Sequence, residues 1–274
     1  MLQMPPVIPE NTKVAFPIKW FKNHDERGLI AKLALQRQFI GECVRYLHPT
    51  FFQDSEYCGV LIDILVDSKQ LHPELVMPGD VDMLIIPYAK RTINFSQSLA
   101  IEAKVIRASF EKQNKSPNQF GFTQAAGLLN IGFPYAAVMH IIVSDISPSQ
   151  SWQEMLVGTV QSDETISGLT ECFADPLPLK LLDRALGRLV HHRTDEHIGV
   201  LAHYVATRHH NDMNDFCDGM YQPTGKVCTI NPKTNPQLIA GMTAYYQQNW
   251  RWFLNTPRYV SDTFVYKTGT FQPA

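Results

Sequence analysis

The chain has 274 residues, 45% of them hydrophobic and 18% charged, which excludes a disordered chain and suits one large domain or two small ones. Lys plus Arg number 24 and Asp plus Glu 26, a formal net charge of -2, so bulk charge cannot hold nucleic acid; such binding needs a local basic patch or a partner. No apolar run reaches bilayer length, and the start, MLQMPPVIPENTK, lacks a basic segment followed by an apolar one, so neither membrane contact nor a secretory signal is expected. Five cysteines (Cys43, Cys58, Cys172, Cys217, Cys228) form no CxxC pair, which fits the reduced thiols of a cytoplasmic protein.

Residues 1–27 read as a lead-in, Pro-rich and weakly patterned over the first 20. Over residues 26–48 the apolar positions Leu29, Ile30, Leu33, Leu35, Phe39, Ile40, Cys43, Val44 and Leu47 predict a helix with a wide buried stripe. Residues 55–70 admit two readings. Their Val, Leu and Ile content suits a strand, but Glu56, Gly59, Asp63, Asp67 and Gln70 recur at helical spacing and a strand would bury Asp63. A helix capped by Ser55 is therefore favoured. Two short apolar runs, 81–87 and 99–105, flank a turn-rich stretch and predict a hairpin-like pair of strands. A polar loop over 111–118 precedes a helix over 122–131 and a buried strand over 134–143. Residues 145–150 look like a boundary. Beyond it, 179–191 reads as helix, 198–206 as strand and 207–233 as a long loop. Asn235 and Pro236 open a helix running to about Leu254.

Residues 78–104, PGDVDMLIIPYAKRTINFSQSLAIEAK, carry the chemistry. Asp80 and Asp82 start one strand, while Glu102 and Lys104 end the next and share a face because strand side chains alternate. If the strands pair, two or three carboxylates and one ammonium converge. Carboxylates at close range repel, and a hard divalent cation such as Mg²⁺ relieves them. Such an ion lowers the pKa of a bound water and stabilises charge on a phosphate, with a lysine alongside to orient the water or neutralise that charge.

This pattern resembles the PD-(D/E)xK nuclease superfamily, with an Asp entering one strand and Glu-x-Lys on the next: here Asp82 and Glu102-Ala103-Lys104. Gly79-Asp80-Val81-Asp82 is similar to the Gly-acid-x-Asp version of some resolvase-like and restriction-like members. The order of elements over 28–145 matches the family's αβββαβ core. The resemblance implies an α/β, restriction-endonuclease-like fold with a mixed central sheet, to which 146–274 would add a mostly helical extension that it does not describe. It further implies a Mg²⁺ or Mn²⁺ site of Asp82, Glu102 and the Ala103 carbonyl, assisted by Asp80 and by a helix-borne glutamate. Glu42 is the best match for that glutamate, with Glu26 and Glu56 weaker. Gln124, on the helix after the lysine, would touch the scissile phosphate or the Lys104 side.

The remaining motifs read as structural. His191, His192, His197, His203, His209 and His210 form no HExxH or HxH, and zinc on His209, His210, Cys217 and Cys228 would need loose spacing. His140 reads as a hydrogen-bonded core histidine. Tyr245, Tyr246, Trp250, Trp252 and Phe253 suit core packing or an oligomer contact. Lys90, Arg91, Lys104, Arg107, Lys112 and Lys115 offer a local substrate path. There is no GxSxG, dinucleotide fingerprint or phosphate loop. The expectation is a metal-dependent nuclease acting on nucleic acid, DNA ahead of RNA. The neutral charge points to a protein partner or a homo-oligomer, and a defence or restriction effector is one setting. The alternative is a catalytically silent module of the same fold that binds nucleic acid or a protein.

Overall fold

The computed structural model describes residues 13, 15–22, 26–36, 39–41, 46–48, 51, 58–72, 80–89, 92–161, 163–207, 216–218 and 224–257. The aliphatic runs of the sequence become the inner strands of a mixed sheet. In chain order these are β1 (Cys58–Asp67), β2 (Asp80–Ala89), the short β3 (Thr92–Ile93), β4 (Leu99–Arg107) and β5 (Tyr135–Asp145). After a hairpin of β6 (Gln153–Val160) and β7 (Ile166–Ala174), the sheet gains β8 (Ile198–Thr207), β9 (Phe216–Asp218), β10 (Thr224–Lys226) and β11 (Leu254–Pro257). Among the described residues the main sheet has nine strands, in the order β10-β8-β5-β4-β2-β1-β11, with β3 on β2 and β9 on β8. β1, β2 and β4 run antiparallel to their neighbours in turn, whereas β4, β5 and β8 are parallel.

Helix α1 (Glu26–Ala34) covers one face, burying Leu29, Ile30 and Leu33 against Met83, Ile101 and Met139. On the other face lie α2 (Phe122–Ile131), α3 (Leu177–His192) and α4 (Pro236–Asn249). They bury Leu128, Leu181 and Leu238 in the core that holds Leu84, Ala100 and Val138. The inner strands are thus buried on both sides, and this is why they read as continuous apolar runs rather than alternating ones. The chain is α/β, and, apart from helical residues 39–41 and 46–47, the one-turn helix Ser68–Leu71, the short β3 and the 3-10 turn Phe95–Gln97, the elements α1, β1, β2, β4, α2 and β5 come in the order α–β–β–β–α–β. Helix α2 makes the crossover that parallel strands require. It ends at Gly132, whose φ of +102° lets the Gly132 and Phe133 N–H groups turn back to the Leu129 and Leu128 carbonyls. The buried Asn231 amide then donates to the carbonyls of Leu129 (2.7 Å) and Phe133 (2.9 Å), tying this helix end to the segment before α4.

Four expectations are corrected. Residues 58–67 form β1, not a helix, and Asp63 is indeed buried. It is accommodated by the Tyr245 hydroxyl (2.7 Å) and the Ile64 N–H (2.9 Å), both donating to its carboxylate, and burial raises its pKa. Ser55 lies outside the described residues. Second, 146–274 is not a mostly helical extension. β8 lies along β5 over Ala136–Asp145, β11 closes the far edge on β1, and the supposed boundary at 145–150 only precedes the β6–β7 hairpin. Third, α1 ends at Ala34 and Leu35 is exposed, although residues 39–41 and 46–47 are again helical. Helix α4 starts where expected, with Asn235 accepting the Gln237 N–H at 2.9 Å, but ends at Asn249 because the chain turns into β11. The hairpin leaves Leu156, Ile166, Leu169 and Phe173 exposed.

Candidate active site

Strands β2 and β4 pair only from Met83 opposite Ile101 to Ile85 opposite Leu99. Where the next rung would put Asp82 against Glu102, they diverge, while the other edge of β4 stays paired with β5. The Ala103 and Val105 N–H groups are left facing the gap, and a free backbone donor must be satisfied. Carboxylates do this: Asp82 Oδ2 accepts from Ala103 at 2.7 Å, and Glu26 Oε1, from the first turn of α1, accepts from Val105 at 2.9 Å.

Glu102 and Lys104 share the parity of Ala100 and Ile106, so they project toward the α2 side. Lys104 Nζ donates to Glu102 Oε1 at 2.6 Å, with Glu102 buried and Lys104 half-buried. Gly121, which precedes α2, lies over this pair. Its φ is +91°, and a Cβ there would stand 3.2 Å from Glu102 Cγ and 3.6 Å from Lys104 Cγ. Neighbouring Phe120 offers its carbonyl to His140 Nε2 at 3.0 Å; a carbonyl only accepts, which puts the imidazole proton on Nε2. His140 is in register with Lys104 on β5 and fully buried, and its Nδ1 has no partner. Burial pulls its pKa down to about 4, helped by the charges of Lys104 and Arg188, so the ring is neutral near pH 7.

The electrostatics are crowded. Burial pushes the Asp82 carboxyl up to about 7; the Glu102 and Glu26 charges add to this, against the Ala103 N–H and Lys104. Burial also raises Glu102, against the pull of Lys104. For Lys104, burial disfavours the ammonium, but the Glu102 hydrogen bond and the charges of Glu102, Glu26 and Asp82 outweigh it, so its pKa is raised. Lys104 feels three carboxylates, and the Arg107 guanidinium also feels the charge of Glu26. Hard oxygen donors from Asp82, Glu102 and the Ala103 carbonyl suit Mg²⁺ or Mn²⁺. Mg²⁺ keeps several waters and takes one or two carboxylates rather than a full protein cage. Among the described residues no group of three or more His, Cys, Asp or Glu is arranged to hold a metal ion.

The structure therefore brings Asp82, Glu102 and Lys104 together. Asp80 is exposed at the start of β2, in register with Asp67, and its charge is not among those acting on Asp82. Glu42 lies outside the described residues, as do Glu56, Lys90, Arg91, His209 and His210. The helix glutamate at the site is Glu26, the first residue of α1. Its signal was an acid opening an amphipathic helix, which is indistinguishable in sequence from an ordinary helix start. Gln124 sits half-buried on the first turn of α2 and lines a cavity with Phe120 and His192; the hydrogen-bond partner of Lys104 is Glu102. Sequence reasoning did not single out Gly121 as the cover of the site. In the aromatic cluster, Tyr246 and Phe253 are buried but Trp252 is exposed.

Comparison of the chain with protein-family models, curated proteins and solved structures gives no match. No helix among the described residues is long and apolar enough to cross a membrane.

Proposed function

We propose that the chain is a metal-dependent nuclease with a restriction-endonuclease-like core, hydrolysing phosphodiester bonds in DNA ahead of RNA. The observation that carries this reading is the meeting of Asp82 and Glu102 beside the Lys104 ammonium where β2 and β4 part. The α–β–β–β–α–β order around it supports the same assignment. Asp82, Glu102 and the Ala103 carbonyl would hold Mg²⁺ or Mn²⁺, which supplies Lewis acidity toward a phosphate and a more acidic bound water. Lys104, kept protonated by its acidic neighbours and oriented by Glu102, neutralises charge that builds on the phosphate oxygens. Asp82, with its pKa near neutrality, exchanges its proton for a cation at little cost at pH 7–8.

The test is incubation of supercoiled plasmid, linear duplex and RNA with and without Mg²⁺ or Mn²⁺. Cleavage is expected only with metal, and Asp82→Ala, Glu102→Ala and Lys104→Ala each abolish it without unfolding the chain. Three variants that cut as fast as the parent refute the site. One observation favours a second reading, a catalytically silent module. Asp82 and Glu26 already serve backbone N–H groups, and Lys104 already serves Glu102. Calorimetric titration separates the two readings, because a silent module binds no Mn²⁺ at millimolar concentration.

A further inference from the structure

Beside the Glu102–Lys104 pair, on the outer side of Gly121, opens a cavity of about 570 Å³. That volume falls within the range of small-molecule sites, about 300–1,000 Å³. Its chemistry is specific. Phe120 and His192 form an aromatic wall, their ring centroids 4.2 Å apart and the planes tilted by 32°. Phe120 also stacks on the buried His140, at 5.8 Å and 29°, and its carbonyl is held by His140 Nε2. The wall is therefore fixed to β5 rather than carried on a loose loop. Gln119, Gln124 and Thr123 also line the cavity, and their amides and hydroxyl offer both donors and acceptors. Among the described residues no Lys, Arg, Asp or Glu lines the cavity.

A phosphate would seek cationic lining, and none is present. An aromatic face with neutral amides at its rim suits a planar, uncharged ring with a polar edge. That is the chemistry of a nucleobase, which stacks on aromatic side chains and shows donors and acceptors along its edge. Gly121 lines the cavity and lies so near the Glu102 and Lys104 stems that a Cβ there would stand 3.2 and 3.6 Å from their Cγ atoms, so a base held there belongs to a nucleotide next to the phosphate at the site. A base inside a duplex is stacked and paired, and reaches such a pocket only by leaving the helix.

We propose that this cavity binds one unstacked nucleobase, and that the substrate presents a single-stranded nucleotide beside the scissile phosphate. The inference rests on the nuclease reading and narrows its substrate class. It is tested on the full chain carrying Asp82→Asn, so that binding is read without cleavage. The probes are labelled single-stranded DNA, single-stranded RNA and blunt duplex DNA of one sequence, followed by fluorescence anisotropy. The single strand, as DNA or RNA, is expected to bind at least tenfold tighter than the duplex. One abasic position scanned along the strand is expected to weaken binding about tenfold at a single place, by loss of one stacked base. His192→Ala, at an exposed position, is expected to remove that abasic sensitivity; Phe120→Leu provides the same readout from the other ring. Equal binding of strand and duplex with a flat abasic scan overturns the pocket. If the Asp82 parent nevertheless cuts DNA and Lys104→Ala does not, the nuclease reading survives that failure. A position-specific abasic effect in a chain whose parent cuts nothing upholds the pocket and overturns the nuclease. Absence of binding to all three probes overturns the pocket.

Discussion

Replacing Asp82 by Asn removes one negative charge from a cluster of three while keeping an oxygen to accept the Ala103 N–H, now at 2.7 Å. In the fold this carboxyl has climbed from 3.8 to about 7, chiefly through burial and then through Glu102. A pKa difference between folded and unfolded chains is a stability difference, at about 1.36 kcal/mol per unit. Above pH 7 the ionised Asp82 therefore costs the fold up to about 4 kcal/mol. The Asn side chain forfeits the attraction of Lys104 and leaves its amide nitrogen to find a partner, so about half that gain, ~2 kcal/mol, is expected. For a chain of this size it corresponds to a rise in Tm of about 4–8 °C. Between pH 4 and 7 the folded chain holds the Asp82 proton more tightly than the unfolded chain, so the contribution of this group falls as pH rises through that window. Thermal melts in EDTA at pH 8 and pH 5 read both quantities. Asp82→Asn melts higher at pH 8, and the gap closes at pH 5, where the parent is protonated as well. A variant that melts at or below the parent at pH 8 refutes the electrostatic account of the site. On the proposed nuclease reading, the same variant should lose cleavage, so that stability and function would move in opposite directions.

Gly121→Ala combines a left-handed φ of +91° with a Cβ 3.2 Å from both Glu102 Cγ and Val138 Cγ1; a loss of about 1–3 kcal/mol is expected by urea denaturation, together with reduced cleavage below the melting range. Unchanged stability and cleavage would show that Gly121 does not constrain the site. Tyr245→Phe deletes the 2.7 Å hydrogen bond to the buried Asp63 and is expected to cost about 1–3 kcal/mol at pH 8. The lost bond favours the ionised carboxylate, so the deficit shrinks as pH falls and Asp63 takes up its proton; a deficit that grows toward acid contradicts this. Iodoacetamide followed by peptide mass spectrometry is expected to label the exposed Cys172 in the native chain and Cys58 and Cys228 only after denaturation. Burial pushes the Cys228 thiol up to about 12, and it donates to the Leu47 carbonyl, so native labelling at Cys228 would contradict its environment.

The parts of the fold legible in sequence are those whose cause is local. Helix α2 matches its expected span, and β2, β4, β5, α3 and β8 fall within a few residues of theirs, because each is bounded by turn residues and carries its own apolar pattern. Asp82, Glu102 and Lys104 were legible for the same reason: their strands are close in the chain, separated only by the two-residue β3 and a short turn, and antiparallel. Where the cause lies far away, local reading failed. β1 looked helical because Asp63 argued against a buried strand, and its partner Tyr245 lies on α4, at the other end of the chain. β11 has four residues and exists by pairing with β1, so no periodicity announces it. Glu26 enters the site only because β2 and β4 diverge and expose the Val105 N–H, a consequence of sheet geometry that no single segment encodes.

Two aspartates on adjacent strands, Asp63 buried and Asp82 half-buried, sit in contrasting electrostatic surroundings. Asp63 is raised by burial, and its neighbours, the Tyr245 hydroxyl and the Ile64 N–H, both favour its ionised form; the fold has supplied what that carboxylate needs. Asp82 is raised further, and two of its neighbours, Glu102 and Glu26, are acids that oppose its ionisation. Satisfying the Ala103 N–H requires an oxygen but no charge, and Asn or Thr would serve. Three carboxylates act on Lys104, where neutral residues would cap the same backbone groups at lower cost, and the proposed divalent cation would account for that cost. The same reasoning separates the two residues experimentally. If Asp82 holds the proposed cation, millimolar Mg²⁺ should raise the Tm of the parent and of Asp63→Asn by similar amounts and leave Asp82→Asn unmoved, because only the second substitution would remove a ligand. Equal metal stabilisation of all three chains would mean that the cation, if bound, is held elsewhere.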